Sequence, residues 1–271
     1  MARTVGLHIR NNKTISEVLE KAERLNLPLF QCFLRQHSGA IIEQTPALTQ
    51  LFRRYSRTFT ALYVHGSYKI NLADHTREQH PALKQELHWA KKLGFTHMIL
   101  HPGASSSSER GIDSIARNLN LLIQQHPTIQ FVLENVAFTS PSIGGSLEDL
   151  HHIKNKLDKP EKLGFCIDTA HAYAYGYNIR DGKERLNFIH EIDKLLGLSS
   201  IELIHINDTE SKLASRHDIH CRIDQGIIGL ESLKEFVLEK RISNIPLLLE
   251  LPALSEAEEL YNLNIVRDWH R

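Results

Sequence analysis

Cysteine is scarce in this chain and follows no pairing pattern: Cys32, Cys166 and Cys221 are the only three in 271 residues. An odd number at wide spacing does not read as a disulfide framework, and a reducing cytoplasmic setting is the expectation. Long apolar runs are also missing. No stretch approaches the ~20 residues of a membrane-spanning helix. Met1-Ala2-Arg3-Thr4 leads straight into the apolar run from Val5, without the charged-then-apolar order of a signal sequence. Neither sign of charge is in excess, since 32 Lys+Arg balance 32 Asp+Glu. A neutral total does not announce a nucleic-acid binder, although a local patch or bound cations can still create a positive site. No Gly-rich phosphate loop follows an early strand, which argues against a doubly wound nucleotide-binding sheet. No low-complexity linker or shift in composition marks a boundary, so residues 1–271 are expected to form a single domain.

What the chain does have is histidine, 17 in all, within an otherwise ordinary soluble composition of 41% hydrophobic and 24% charged residues. Eight short apolar runs stand out: Val5–Ile9, Leu29–Leu34, Ala61–His65, His97–His101, Gln130–Glu134, Leu163–Asp168, Ile201–Asn207 and Ile245–Glu250. Their starts lie 24 to 44 residues apart, the spacing of strands separated by one helix each. Amphipathic stretches fall between them. Ile15, Val18, Leu19, Ala22 and Leu25 share one face of a helix over 15–26, and Pro81–Leu93 and Ile112–Gln125 behave likewise. Ser146 and Ser255 stand where helix starts are expected, and Asn187–Leu196 completes the set. Eight alternating strand and helix units predict an α/β fold, a single (β/α)8 TIM barrel.

Working groups in such barrels sit at the carboxyl ends of the strands. Those ends carry His65, His101, Glu134, Asp168 with His171, His205, and Glu250, and Asp218 and His220 lie in the loop beyond the seventh run. Any one of them alone is better read as a satisfied core residue or a helix cap. Together they fail that reading. Several carboxylates crowded with imidazoles at one mouth, without cations, would be desolvated and poorly paired. Imidazole nitrogen and carboxylate oxygen are ligands for zinc, and nine are too many for one ion but suit two or three.

The motifs themselves resemble a known family. His65-Gly66-Ser67-Tyr68-Lys69-Ile70-Asn71-Leu72, His101-Pro102-Gly103, Leu133-Glu134-Asn135, Cys166-Ile167-Asp168-Thr169-Ala170-His171, His205-Ile206-Asn207-Asp208 and Asp218-Ile219-His220 are similar, in order and spacing, to those of endonuclease IV. That family comprises zinc-dependent apurinic/apyrimidinic endonucleases of base-excision repair. The resemblance covers nearly the whole chain. It implies three Zn2+ ions, with Mn2+ an alternative at one position. His65, His101 and Glu134 would hold the first, Glu134 bridging to a second completed by Asp168, His205 and Glu250, and His171, Asp218 and His220 the third. It further implies that Glu134 and Glu250 serve catalysis. A hydroxide between two ions would cut double-stranded DNA 5′ of an abasic site, in a monomer. Tyr68 and Asn71 would contact DNA, Arg35 and Gln36 would do so from the loop after the second strand, and Asn135 and Asn207 would orient ligands.

Three departures from the family pattern bear on substrate more than on metal. Ser38 and Ala40 stand where the family carries an Arg and a bulky aromatic that fill the gap left by the extruded nucleotide. Cys221 and Arg222 follow Asp-x-His where a second histidine is usual, and an inert Cys221 is expected. Gly66 replaces a common Asp, which predicts a looser loop after His65. Two other readings stay open at this point: a sugar isomerase or epimerase on the same barrel, and a relative that binds damaged DNA without cleaving it.

Overall fold

All eight apolar runs become strands, pair in parallel and close on themselves. The strands are β1 (Val5–His8), β2 (Leu29–Phe33), β3 (Ala61–His65), β4 (His97–Leu100), β5 (Gln130–Glu134), β6 (Leu163–Asp168), β7 (Ile201–His205) and, last in the ring, β10 (Leu247–Leu249). The order around the barrel is β1-β10-β7-β6-β5-β4-β3-β2. Two short strands, β8 (Asp208–Thr209) and β9 (His220–Cys221), form an antiparallel ribbon that folds the segment after β7 back over the mouth. The computed structural model describes residues 3–10, 14–36, 39–42, 45–74, 81–138 and 141–270. No helix among them is long and apolar enough to cross a membrane.

The helices that wrap the strands are α1 (Ile15–Arg24), α2 (Pro46–Tyr55), α3 (Pro81–Leu93), α4 (Ser108–Gln125), α5 (Leu147–Asn155), α6 (Thr169–Tyr175), α7 (Gly182–Leu195), α8 (Leu230–Leu238) and α9 (Glu256–Asp268). Capping residues set several of the starts. Ser146 and Ser255 cap α5 and α9 as expected, the latter with a reciprocal box to Glu258. Ser107 starts α4 ahead of Ile112, and Asp181 starts α7 ahead of Asn187, because each side chain accepts from backbone N–H groups of the first turn. In both cases the polar first turn precedes the apolar stripe.

Alternation along each strand builds the interior in layers. Leu29, Tyr63, Ile99, Val132, Cys166, Leu203 and Leu248 point inward and pack into one buried cluster. Side chains two residues further along a strand face the same way. They are Gln31, His65, His101, Glu134, Asp168, His205 and Glu250. The apolar layer is therefore the floor on which a polar layer stands, and the register is staggered around the ring: Asp168 pairs with His205, but Gln31 pairs with Tyr63, His65 with Ile99, Glu134 with Cys166 and His205 with Leu248. A second, larger apolar core fills the space between strands and helices.

The lower end of the barrel makes a prediction of its own. His97 opens β4 below Ile99, its ring 4.6 Å from that of Tyr63 and its Nδ1 2.7 Å from Thr96 Oγ1. Burial lowers its pKa to about 4. The ring is thus neutral in the folded chain, whereas in the unfolded chain it takes a proton near pH 6.5. Its contribution is complete above pH 6.5 and is lost as pH falls toward 4, by about 3 kcal/mol in all. With a chelator present, wild type should lose about that much more stability between pH 6.5 and 4 than His97→Phe. Urea unfolding at both pH values measures the difference, and parallel losses would contradict it.

Candidate metal centre

Glu134, at the end of β5 and wholly buried, is the hub of the mouth. Its Oε2 lies 3.1 Å from His65 Nε2 and 3.3 Å from His101 Nε2, and its Oε1 lies 3.0 Å from His205 Nδ1 and 3.4 Å from His171 Nδ1. His205 Nδ1 also faces Glu250 Oε2 at 3.4 Å and Asp168 Oδ2 at 3.8 Å. Beyond them Asp218 spans two imidazoles, with Oδ2 3.2 Å from His171 Nε2 and Oδ1 3.1 Å from His220 Nε2. Three of the groupings able to hold a metal ion follow: His65, His101 and Glu134; Glu134, Asp168, His205 and Glu250; and Asp168, His171 and His220. Within each, the ligand atoms lie within 4.8 Å of one another. All nine residues singled out in the sequence thus come together. The one shift is at the third grouping, where Asp168 closes with the two imidazoles and Asp218 faces both from the more exposed side.

Three of the imidazoles are oriented by backbone carbonyls. His65 Nδ1 donates to Gly66 O at 2.8 Å, His171 Nδ1 to Asn135 O at 2.9 Å and His220 Nδ1 to Glu250 O at 3.1 Å. Each is left with Nε2 turned into the site. His220 Nε2 is buried and has no hydrogen-bond partner despite its closeness to Asp218. An unbonded buried nitrogen beside a carboxylate is what remains when both atoms aim at a third point between them. The carboxylates are arranged likewise. Asp168 caps α6 by accepting from His171 N at 2.8 Å, and its Oδ2 accepts from Asn207 Nδ2 at 2.6 Å. Asn135 brackets the Asp168 backbone, accepting from its N at 2.7 Å and donating to its O at 3.2 Å. Asn207 Oδ1 accepts from Glu250 N at 2.8 Å, so one asparagine ties β6 to the end of β10.

The electrostatics agree with a site built for positive charge. Burial alone would raise the Glu134 carboxyl, but His205, His101 and His171 outweigh it and hold Glu134 well below the usual carboxylate range. Glu250 is lowered in the same way by His205 and His8. Burial opposes charge on His171 and His205, yet surrounding groups, Asp168 and Asp218 for the former and Cys166, Glu250 and Glu134 for the latter, keep both well above the ordinary imidazole value. Donor types, orientation and shared carboxylates all fit divalent ions.

The residues expected at a DNA surface divide. Tyr68 is 68% exposed at the rim, its ring 5.4 Å from Phe33, 5.5 Å from His65 and 5.4 Å from His101. Asn71 and Arg35, by contrast, are engaged by the protein. Asn71 Nδ2 donates to Ala104 O and its Oδ1 accepts from Ala104 N, both at 2.9 Å, which staples the loop after β3 to the loop after β4. Arg35 donates to Glu86 Oε1 at 2.7 Å, to Gln85 Oε1 at 2.6 Å and to Gly39 O at 2.5 Å. Glu86 Oε2 in turn accepts from Ser67 N at 3.1 Å, so Arg35 braces the loop that presents Tyr68. Gln36 closes a turn through its backbone, its N donating to Ala40 O at 2.9 Å. His37 and Ser38 lie outside the described residues.

Two of the departures take on a physical meaning. The loop after His65 is not loose where Gly66 replaces the acid: Gly66 N donates to Ile99 O at 2.8 Å, and a Cβ there would meet Leu100 Cδ2 at 2.6 Å. Cys221 is buried in the β8–β9 ribbon opposite Asp208, and burial pushes its thiol up to about 12.

The chain matches the xylose isomerase-like TIM barrel family over residues 19–265. It is 31% identical to the protein of Petrotoga mobilis named "Probable endonuclease 4", over 97% of this chain and 96% of that one. The chain belongs to the endonuclease IV family. A second member, from Thermosipho africanus and of the same name, is 36% identical over 74% of this chain and 73% of its own length. Among solved structures, endonuclease IV from Thermus thermophilus superposes with a TM-score of 0.82 at 26% identity, covering 98% of each chain. A D-tagatose 3-epimerase-like protein shares the barrel at a TM-score of 0.71 and 18% identity, over 98% of each chain, which is a likeness of fold alone. In this endonuclease IV family member, Gln31 and Thr169 support the ligands without having stood out as site residues in the sequence. Gln31 is wholly buried beside His205 and Glu250, and its position two residues after inward-facing Leu29 was the available signal. Thr169 Oγ1 bonds the backbone of His205 and Asn207 at 3.2 and 2.7 Å, locking β6 to β7 beneath the ligands.

Proposed function

We propose that this chain is a metal-dependent DNA repair phosphodiesterase that cuts the backbone 5′ of abasic sites in double-stranded DNA. The observation that carries the reading is Glu134, a buried carboxylate shared between two groups of ligand atoms while a third group stands beside them. His65, His101, Glu134, Asp168, His171, His205, Asp218, His220 and Glu250 would hold three divalent ions. Zn2+ suits this mixture of imidazole and carboxylate, with Mn2+ admissible at one position. Such ions, when bound, lower the pKa of water and screen the charge of a phosphodiester.

The protein's own part is placement. Glu134, enclosed by four imidazoles, fixes the spacing of two groups. Glu250, with 13% of its side chain exposed, is the more accessible carboxylate of the second and would orient the attacking water by accepting its hydrogen bond. Tyr68 offers a ring edge to the sugar at the rim, on a loop braced by Arg35, Glu86 and Asn71. The Asp218, His171 and His220 cluster is more than a one- or two-metal sugar isomerase needs, and it favours in-line displacement with a separate site for the leaving oxygen. The chain would act in the cytoplasm as a monomer, as a single (β/α)8 domain of residues 1–271.

A duplex oligonucleotide with one abasic site tests this. Nicking on its 5′ side, lost on dialysis against a chelator and restored by Zn2+, is the expected result. Binding without nicking, or nicking indifferent to the chelator, would refute it.

A further inference from the structure

Of the four ligand imidazoles whose second nitrogen is seen bonded, three are fixed by backbone carbonyls, those of Gly66, Asn135 and Glu250. His205 differs. Its Nε2 meets a side chain, Gln31 Oε1, at 3.0 Å, and Gln31 reaches it from β2 across the wholly buried interior of the barrel. A backbone carbonyl can only accept, so it dictates the histidine's proton. A primary amide can accept or donate, and dictates nothing until its own orientation is set.

The orientation is set on the opposite side. Gln31 Nε2 lies 2.5 Å from Glu250 Oε1 and 2.7 Å from His8 Nδ1. An ionised carboxylate only accepts, so the amide nitrogen must be the atom facing Glu250. The amide oxygen then faces His205, and Nε2 there must carry the hydrogen. His8 fits the same arrangement, since its Nδ1, 2.7 Å from the amide nitrogen and 3.3 Å from Glu250 Oε1, is placed to accept the second amide hydrogen. Phe33, its ring 4.7 Å from that of His8, packs His8 in place. Turning the amide over would put N–H against His205 Nε2 and move the histidine's hydrogen to Nδ1. The N–H would then point at Glu134 and Glu250, and the nitrogen lone pair would be aimed away from the ligand group.

We infer that Gln31 is the positioning residue that commits His205 to the tautomer protonated at Nε2, with Nδ1 as its metal-binding atom, and couples that choice to the placement of Glu250. One buried amide thus decides whether two members of the Glu134, Asp168, His205 and Glu250 group act as ligands. This rests on the metal-centre reading above and adds to it a residue that touches neither ion nor substrate.

The test reads metal and tautomer, apart from DNA cleavage. In the zinc-loaded, full-length protein with 15N-labelled histidine, long-range 1H–15N correlation should show His205 protonated at Nε2 and zinc-bound through Nδ1. The reverse assignment would overturn the proposal, and needs no variant. Gln31→Met keeps the side-chain length and removes all three of its hydrogen bonds, to His205, Glu250 and His8. Competition with a chromophoric chelator should show one zinc held 10- to 100-fold more weakly, about what losing a supporting partner costs, and the His205 Nε2 hydrogen should exchange faster with solvent. Unchanged zinc affinity in Gln31→Met would overturn the role of Gln31. Wild type that takes up no zinc would overturn this proposal and the metal-centre reading together, whereas zinc bound to His205 through Nε2 would overturn this one alone.

Discussion

Glu134→Gln is expected to lower cleavage of abasic DNA by about 10^3-fold or more, the scale seen when a buried electrostatic stabiliser is removed. Glutamine keeps the shape but withdraws the negative charge that His65, His101, His171 and His205 all approach within 3.4 Å. Both groups that share this carboxylate lose their common member, so two bound ions should disappear from the metal count where a peripheral ligand would cost one. The metal-free fold should also weaken, by about 3 kcal/mol, because buried imidazoles lose their counter-charge. Single-turnover cleavage, metal analysis and denaturant unfolding of the one variant measure the three effects. Full zinc content in Glu134→Gln would mean that the carboxylate is not shared.

Asp218→Asn is the second large effect and differs in kind. Asp218 stands at the end of the cluster, 27% exposed, with its oxygens on His171 Nε2 and His220 Nε2. Those two imidazoles are anchored independently by Asn135 O and Glu250 O, so their positions survive the substitution. What is lost is charge. One ion should be released while the two around Glu134 remain, and cleavage should drop by about 10^2-fold, with the loss in kcat more than in KM if this position steadies the leaving oxygen. Loss of all metal on Asp218→Asn would show that the three groups fill as one unit and not separately. The two variants together separate a hub from a rim.

Much of this arrangement could be read from the chain because it follows from one periodicity. An apolar residue at the floor and a ligand two positions on recur in β3 to β7, as in Tyr63 with His65 and Val132 with Glu134. Alternation alone puts such pairs on one face. Helices α2, α6 and α8 were not legible in the same way. α2 has no acidic residue in its first turn and α8 starts after Gly229 without a capping side chain, so neither start is signalled, and α6 is buried on nearly every side and has no polar face to set a period. The roles of Arg35 and Asn71 were hidden for another reason. Their partners, Glu86 and Ala104, lie 51 and 33 residues away, and nothing local in the sequence says that a polar side chain at a strand end will be consumed by a neighbouring loop. Gln31 stood out only as a residue shared with the family after the second strand; its supporting role was hidden because an amide carries no ligand signature, although its place in the alternation was the same as that of the ligands.

The most direct measurement is the metal content of the full-length protein purified without added metal, taken beside the same count after exhaustive chelation and reloading with zinc. About three equivalents per chain, two of them lost in Glu134→Gln, is the predicted result. Less than one equivalent before and after reloading, with Glu134→Gln no different from wild type, would contradict it.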